Sequence, residues 1–234
     1  DLLISGKEIL DVGTDLEKKY EGTLKIDHVV EAEGTVILPG FVNVHHHTWQ
    51  SLIRNIQATR GLKLEPWLTV MYEIYKDLNT DVARAGVYSG LGDMLKTGCT
   101  TSNDLWYPHP VGVKYLVDAE IEAAAEIGIR FHPTRGFHSV PSSIVPPEVV
   151  DTKESVVEDT IRLVKKYHDR SRFSMCQVGI APSIAQYETE DIIEAVVDLA
   201  EEYDIMVHGH LAESQHEVEY TLKTWGCRPF EWFK

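Results

Sequence analysis

Three consecutive histidines, His45, His46 and His47, close an apolar run (residues 36–42) within the stretch PGFVNVHHHTWQSLIR, residues 39–54. In an extended chain the side chains alternate. His45 and His47 therefore share a face with Phe41 and Asn43, and His46 shares the other with Val42 and Val44. Two imidazoles two residues apart at a strand end converge on one point, which is the geometry a divalent cation needs. Histidines in tags and surface loops usually do nothing, but these follow a strand-like run inside the chain, and the metal reading is favoured. A second stretch, IMVHGHLAE (residues 205–213), repeats the spacing with His208 and His210 and adds Glu213 three residues on. A carboxylate there can stand as a base beside a metal-held water. The alternative is a pair of satisfied interior histidines followed by a glutamate that the helix dipole favours.

These residues must be held by something, and the pattern around them is regular. After the histidines, helical segments alternate with short apolar strands. Helical spacing of apolar residues covers 49–56 and 65–75, and a helix opens at Asn79-Thr80 and ends before Gly98. Further helices are expected over 113–127, from the polar start at 151–154 to about 168, from 189 to about 203, and over 213–224. Strands are expected at the histidine stretch and over 99–105, 129–135, 173–181 and 205–211. Alternating strands and helices imply a parallel sheet, either an open doubly wound sheet or a (β/α)8 barrel. No glycine-rich phosphate loop follows the first strand, and the candidate ligands fall at strand ends, so the barrel is favoured. Only five strands are found, which predicts a truncated TIM barrel, an N-terminal part of a longer polypeptide. Residues 1–38 read as a small antiparallel β element, with strands also at 24–26 and 28–30, part of a β-sandwich. Residues 39–234 then form the barrel portion. The loop over 136–150 is long for a connector, and such loops are often functional.

Composition narrows the partners. The 234 residues carry 22 Lys+Arg against 37 Asp+Glu, a formal charge of −15. That argues against nucleic acid, which needs a basic footprint. No apolar run is long enough for a membrane span. Cys99, Cys176 and Cys227 are widely spaced and odd in number, so neither a disulfide framework nor a thiolate zinc site is indicated, and a reducing, cytoplasmic setting is expected.

Taken together, PGFVNVHHH and HGHLAE resemble the amidohydrolase superfamily, in its branch of aminohydrolases and chlorohydrolases. Trp49-Gln50, residues 96–101 (KTGCTT), Thr134-Arg135-Gly136 and residues 226–229 (GCRP) make the chain most similar to 8-oxoguanine deaminases and hydroxytriazine deaminases. The resemblance implies His45, His47 and His210 as metal ligands, His46 in the intervening position, and Glu213 as the catalytic proton shuttle. A strand-six histidine and a strand-eight aspartate of the family have no counterpart before Lys234. No lysine occurs over 173–183, so one divalent metal is expected, Zn²⁺ or alternatively Fe²⁺. The implied function is metal-dependent hydrolytic deamination of an aminated nitrogen heterocycle such as 8-oxoguanine, through a hydroxide formed from a water whose pKa falls towards about 7. The alternatives are s-triazine dechlorination or deamination and, from another class, a non-catalytic metal-binding relative. Gln50, Arg135 and Trp106 are expected to contact the substrate. A plain helix-surface role for Gln50 and a surface salt bridge for Arg135 stay open beside that. Trp49, Trp67 and Tyr107 are candidate pocket walls, and His109, His132 and His138 read as structural. The partners implied are a small heterocycle and, once the barrel is complete, further copies of the chain in a homo-oligomer.

Overall fold

A computed structural model describes residues 1–234, which fall into two compact units, Asp1–Pro39 and Gly40–Lys234. In the first, β1 (Leu2–Ser5) and β2 (Glu8–Val12) form an antiparallel hairpin. Gly6 takes the left-handed conformation at its turn, where a side chain would be strained. A short helix, α1 (Leu16–Lys19), buries Leu16, and the Asp1 carboxylate accepts the Leu16 N–H at 3.0 Å. Residues 24–26 and 28–30, expected as strands, belong to no sheet, and Leu24, Ile26, Val29 and Val30 are exposed. Alternating hydrophobicity supplied the strand signal there, but a strand exists only where a neighbour satisfies its backbone.

The second unit is organised on one parallel sheet. Its strands are β3 (Phe41–Asn43), β4 (Cys99–Trp106), β5 (Arg130–Phe137) and β6 (Gly179–Pro182), adjacent in chain order. The register runs through Val42–Thr101, Thr101–Arg130 and Thr134–Gly179. Consecutive parallel strands joined through helices are the arrangement of half a TIM barrel. Residues 205–211, expected as a fifth strand, run beside β6 with a single bridge, Ile180–Val207. Their backbone is still tied to it: Ile180 N–H donates to Met206 O, His208 N–H to Ile180 O, and His210 N–H to Ser183 O, each at 3.0 Å. Two glycines permit this approach, because a Cβ on Gly179 would sit 2.8 Å from Met206 O and one on Gly209 2.6 Å from Pro182 O. The fourth strand is continuous only from 179, later than expected, although residues 175–177 already lie beside β5, with Phe131 N–H donating to Met175 O at 2.9 Å and Gln177 N–H to Phe131 O at 3.3 Å.

The helices start and stop on local chemistry. They are α2 (Leu64–Tyr75), α3 (Thr80–Lys96), α4 (Leu116–Ile127), α5 (Lys153–Tyr167), α6 (Glu190–Tyr203), α7 (Gln215–Trp225) and α8 (Pro229–Trp232). Asn79 caps α3 by accepting the Asp81 and Val82 N–H groups. Thr152 and Ser155 form a reciprocal capping box at α5, and Ser214 caps α7. Residues 49–56, expected as a helix, form a 3-10 turn over Thr48–Ile53. That turn lies so close to α3 that a Cβ on Gly86 would meet Trp49 Cα at 2.8 Å. The core joins Leu105, Phe131 and Ile180 of the sheet with Leu91, Val117, Leu163 and Ile192 of the helices.

Candidate metal centre

His45 and His47 lie just beyond the end of β3, and His210 lies just beyond residues bonded to β6. Parallel strands with their ends aligned bring these positions together, although 163 residues separate His47 from His210. Nitrogen atoms of His45, His47 and His210 all fall within 4.8 Å of one another. His46 faces the other way, as alternation requires. Its Nδ1 is 3.9 Å from Asp104, and its ring approaches Gly90 of α3.

The hydrogen bonds fix what two of these rings can do. His47 Nδ1–H donates to Leu105 O at 2.6 Å, and His210 Nδ1–H donates to Ser183 O at 3.3 Å. Both Nε2 atoms then carry lone pairs, and they face each other at 3.2 Å. Such a contact repels unless a proton or a cation lies between them. Burial holds His47 well below the usual imidazole pKa, and burial with His45 nearby takes His210 down to about 4. At neutral pH the arrangement therefore suits a cation better than a proton. The separation also agrees with the roughly 3.3 Å between two nitrogens bound to one tetrahedral zinc at about 2.05 Å. The residues present fit a divalent metal.

Glu213 stands at the turn before α7. Ala212 has a left-handed φ of 52°, and Glu213 N–H donates to the Glu217 carboxylate at 2.9 Å. Partial desolvation, then the negative charges of Glu217 and Glu65, push the Glu213 carboxyl above the ordinary range, as suits a group that must both take and return a proton.

His47, His210 and Glu213 line one cavity of about 450 Å³, with Gln50, Trp67, Tyr72, Tyr107, His138, Ser183 and Tyr187 among its walls. Gln50 is held by its amide N–H, which donates to Tyr75 Oη at 3.0 Å. Two of the expected substrate contacts, Arg135 and Trp106, lie outside the cavity lining. Arg135 is buried away from the cavity, with its guanidinium on Asp151 (2.7 Å), Asp159 (2.9 Å) and Gly136 O. A guanidinium in a strand interior is stable only when paired, and both carboxylates come from the loop and helix that follow. Trp106 is fully buried beneath Trp49, their rings 4.6 Å apart, and its indole N–H donates to Pro108 O. It does not line the cavity. His138, read as structural, is in the lining, with its Nε2 on the Tyr72 hydroxyl. The long 136–150 loop carrying it was the available signal. Tyr72 and Tyr187 gave none beyond aromatic type.

Behind the histidines lies a buried carboxyl pair. Asp104 accepts the Thr48 N–H at 2.6 Å, and the Thr48 hydroxyl donates to Glu120. Burial pushes Asp104 up to about 7, and burial with the Asp104 charge holds Glu120 well above the usual carboxylate range. A folded pKa above the unfolded one gives stability that is present below about pH 4 and is lost as the pH rises through about 7. Asp104→Asn keeps an acceptor for Thr48 and removes that loss. The gap between variant and parent in urea unfolding should therefore move in the variant's favour as the pH rises from 5 to 7, by on the order of 2 kcal/mol. Parallel stability profiles would refute this assignment.

Comparison with known proteins agrees with the geometry. The model of the amidohydrolase family matches residues 36–230. The 8-oxoguanine deaminase of Pseudomonas aeruginosa PAO1 is 31% identical over 205 residues, covering 86% of this chain and 46% of its own length. Hydroxydechloroatrazine ethylaminohydrolase of Pseudomonas sp. strain ADP is 28% identical over 99% of this chain and 50% of its own. Among solved structures, an atrazine chlorohydrolase variant from Arthrobacter aurescens TC1, complexed with zinc and atraton, superposes with a TM-score of 0.88 at 25% identity, over 99% of this chain and 52% of that one. Guanine deaminase from C. acetobutylicum, with bound guanine, shares the fold with a TM-score of 0.82 at 21% identity, over 96% and 51%. The chain spans about half the length of the curated relatives it matches. On the match over residues 36–230, this chain belongs to the amidohydrolase family.

Proposed function

We propose that the chain contributes the metal-binding half of an enzyme that hydrolytically deaminates an aminated nitrogen heterocycle, with an oxidised purine such as 8-oxoguanine as the favoured substrate. The observation that carries this reading is the facing pair of Nε2 lone pairs on His47 and His210, in the same cavity as Glu213. His45, His47 and His210 hold one divalent ion, zinc or alternatively iron. Bound there, the ion supplies Lewis acidity and makes a nucleophile available from water near neutral pH. Glu213 takes a proton from the attacking water and returns it to the ring nitrogen. The carbon–oxygen bond forms first, and the second proton of that water passes to the exocyclic amine as its carbon–nitrogen bond breaks, so that the ring is left with a carbonyl and ammonia leaves. Gln50, its N–H tied to Tyr75, presents its carbonyl to a ring N–H, and Trp67 and Tyr107 offer flat apolar faces. A cavity of about 450 Å³ suits a bicyclic base.

The same reading takes residues 39–234 as the N-terminal five units of a (β/α)8 barrel and residues 1–38 as part of a β-sandwich. A strand-six histidine and a strand-eight aspartate lie on the other half, and the complete molecule is a homo-oligomer. Three unpaired cysteines favour a cytoplasmic setting. Triazine chemistry is the second reading, supported by the 0.88 superposition on atrazine chlorohydrolase. The test is elemental analysis with ammonia and chloride release from 8-oxoguanine, isoguanine, hydroxytriazines and a chlorotriazine, on the longest natural polypeptide containing this chain. About one zinc or iron per chain with ammonia from a purine is expected. Chloride release without ammonia moves the assignment to the triazines, and absence of metal and of both products refutes it.

A further inference from the structure

The metal centre contains two histidine–histidine contacts of different kinds. His47 and His210 meet at 3.2 Å, a separation that two nitrogens on one ion can keep. His45 Nδ1 and His208 Nε2 are 2.7 Å apart, too close for two ligands of one zinc and right for a hydrogen bond. The rings of His45 and His208 lie nearly parallel, 23° apart with centroids at 5.1 Å. His208 is itself held in place. Its N–H donates to Ile180 O, and the next residue, Gly209, lies against Pro182 O with no room for a Cβ. Alternation puts His208 and His210 on the same side of this segment.

The other two rings already have outer partners, and in both cases the partner is a main-chain carbonyl, Leu105 O for His47 and Ser183 O for His210. A ligating imidazole needs such a partner to fix its tautomer and ring orientation. His45 has the His208 ring in that place.

We infer that His208 is the positioning residue for His45: its Nε2 accepts the His45 Nδ1–H and so leaves the His45 Nε2 lone pair free to coordinate. This rests on the metal reading above. Of the two tautomer pairs compatible with a 2.7 Å contact, only this one gives His45 a free Nε2. His208 then carries its own proton on Nδ1 and stays outside the coordination shell.

The experiment is Zn²⁺ affinity of the longest natural polypeptide containing this chain, measured by competition with a chromophoric chelator, for the parent, His45→Ala, His208→Ala and His208→Gln. His208→Ala should weaken binding by 10- to 100-fold, the usual effect of removing an outer partner. His208→Gln, whose amide oxygen accepts the same bond, should recover most of that loss. The visible spectrum of the Co²⁺ form should change in His208→Ala and return towards the parent in His208→Gln. Urea unfolding of the metal-free variants should superpose on the parent. Parental affinity in His208→Ala, with affinity lost in His45→Ala, overturns this inference and leaves the metal reading standing. Equal weakening in His208→Ala and His208→Gln overturns it as well. No zinc on the parent chain removes the metal reading and this inference together.

Discussion

Glu213→Gln is expected to keep the metal and lose the reaction. The amide cannot take a proton from water or return one to a ring nitrogen, and general acid–base groups of this kind contribute about 10²–10⁴-fold to rate. His45, His47 and His210 are untouched, so zinc affinity should stay within about twofold of the parent. The prediction is checked by measuring ammonia release and metal content on the same preparation. Loss of zinc together with activity would place Glu213 among the ligands. Retained activity would remove it from proton transfer.

Arg135→Ala should be the most destabilising single change among the residues considered for the site, with a modest effect on any ligand. It leaves the largely buried Asp151 carboxylate without its partner, and breaking a buried ion pair from one side costs about 3–5 kcal/mol. The double variant Arg135→Met with Asp151→Asn should recover much of that, because neither side is then left charged and alone. Urea denaturation of the parent, single and double variants gives the comparison. A loss below about 1 kcal/mol with a raised Michaelis constant would return Arg135 to the substrate-facing role read from the sequence.

The contrast between Arg135 and Gln50 marks how far the sequence could be read. The parallel alternation of strands and helices was legible because apolar periodicity and caps such as Asn79 and Gly98 act within one turn of the chain. The convergence of His45 and His47 was legible for the same reason, since it needs only a period of two. Whether a strand-end side chain faces the cavity depends on partners far away. Arg135 is claimed by Asp151 and Asp159, and Trp106 is packed against Trp49, none of which announces itself locally. His138 failed in the opposite sense. It reached the cavity because the 136–150 loop folds over it, with Asp151 N–H donating to His138 O. The two short strands at 24–26 and 28–30 were read from composition that no neighbouring backbone supports.

The sheet also sets how the second unit must fold. All of its ladders are parallel, so no pair of its strands can be joined by a tight hairpin. Even the ladder with the shortest connection, Thr101 with Arg130, requires α4 to be traversed first, and Val42 reaches Thr101 only across α2 and α3. Loop-closure entropy is therefore spent before any ladder bond is gained, which makes parallel sheets slow to form. The helices must gather first, with α3 and α4 as the natural nucleus because they pack on each other and flank β4 in sequence. During that interval the backbones of strands such as residues 99–106 are unpaired in the nascent chain, and refolding yield should fall steeply with protein concentration.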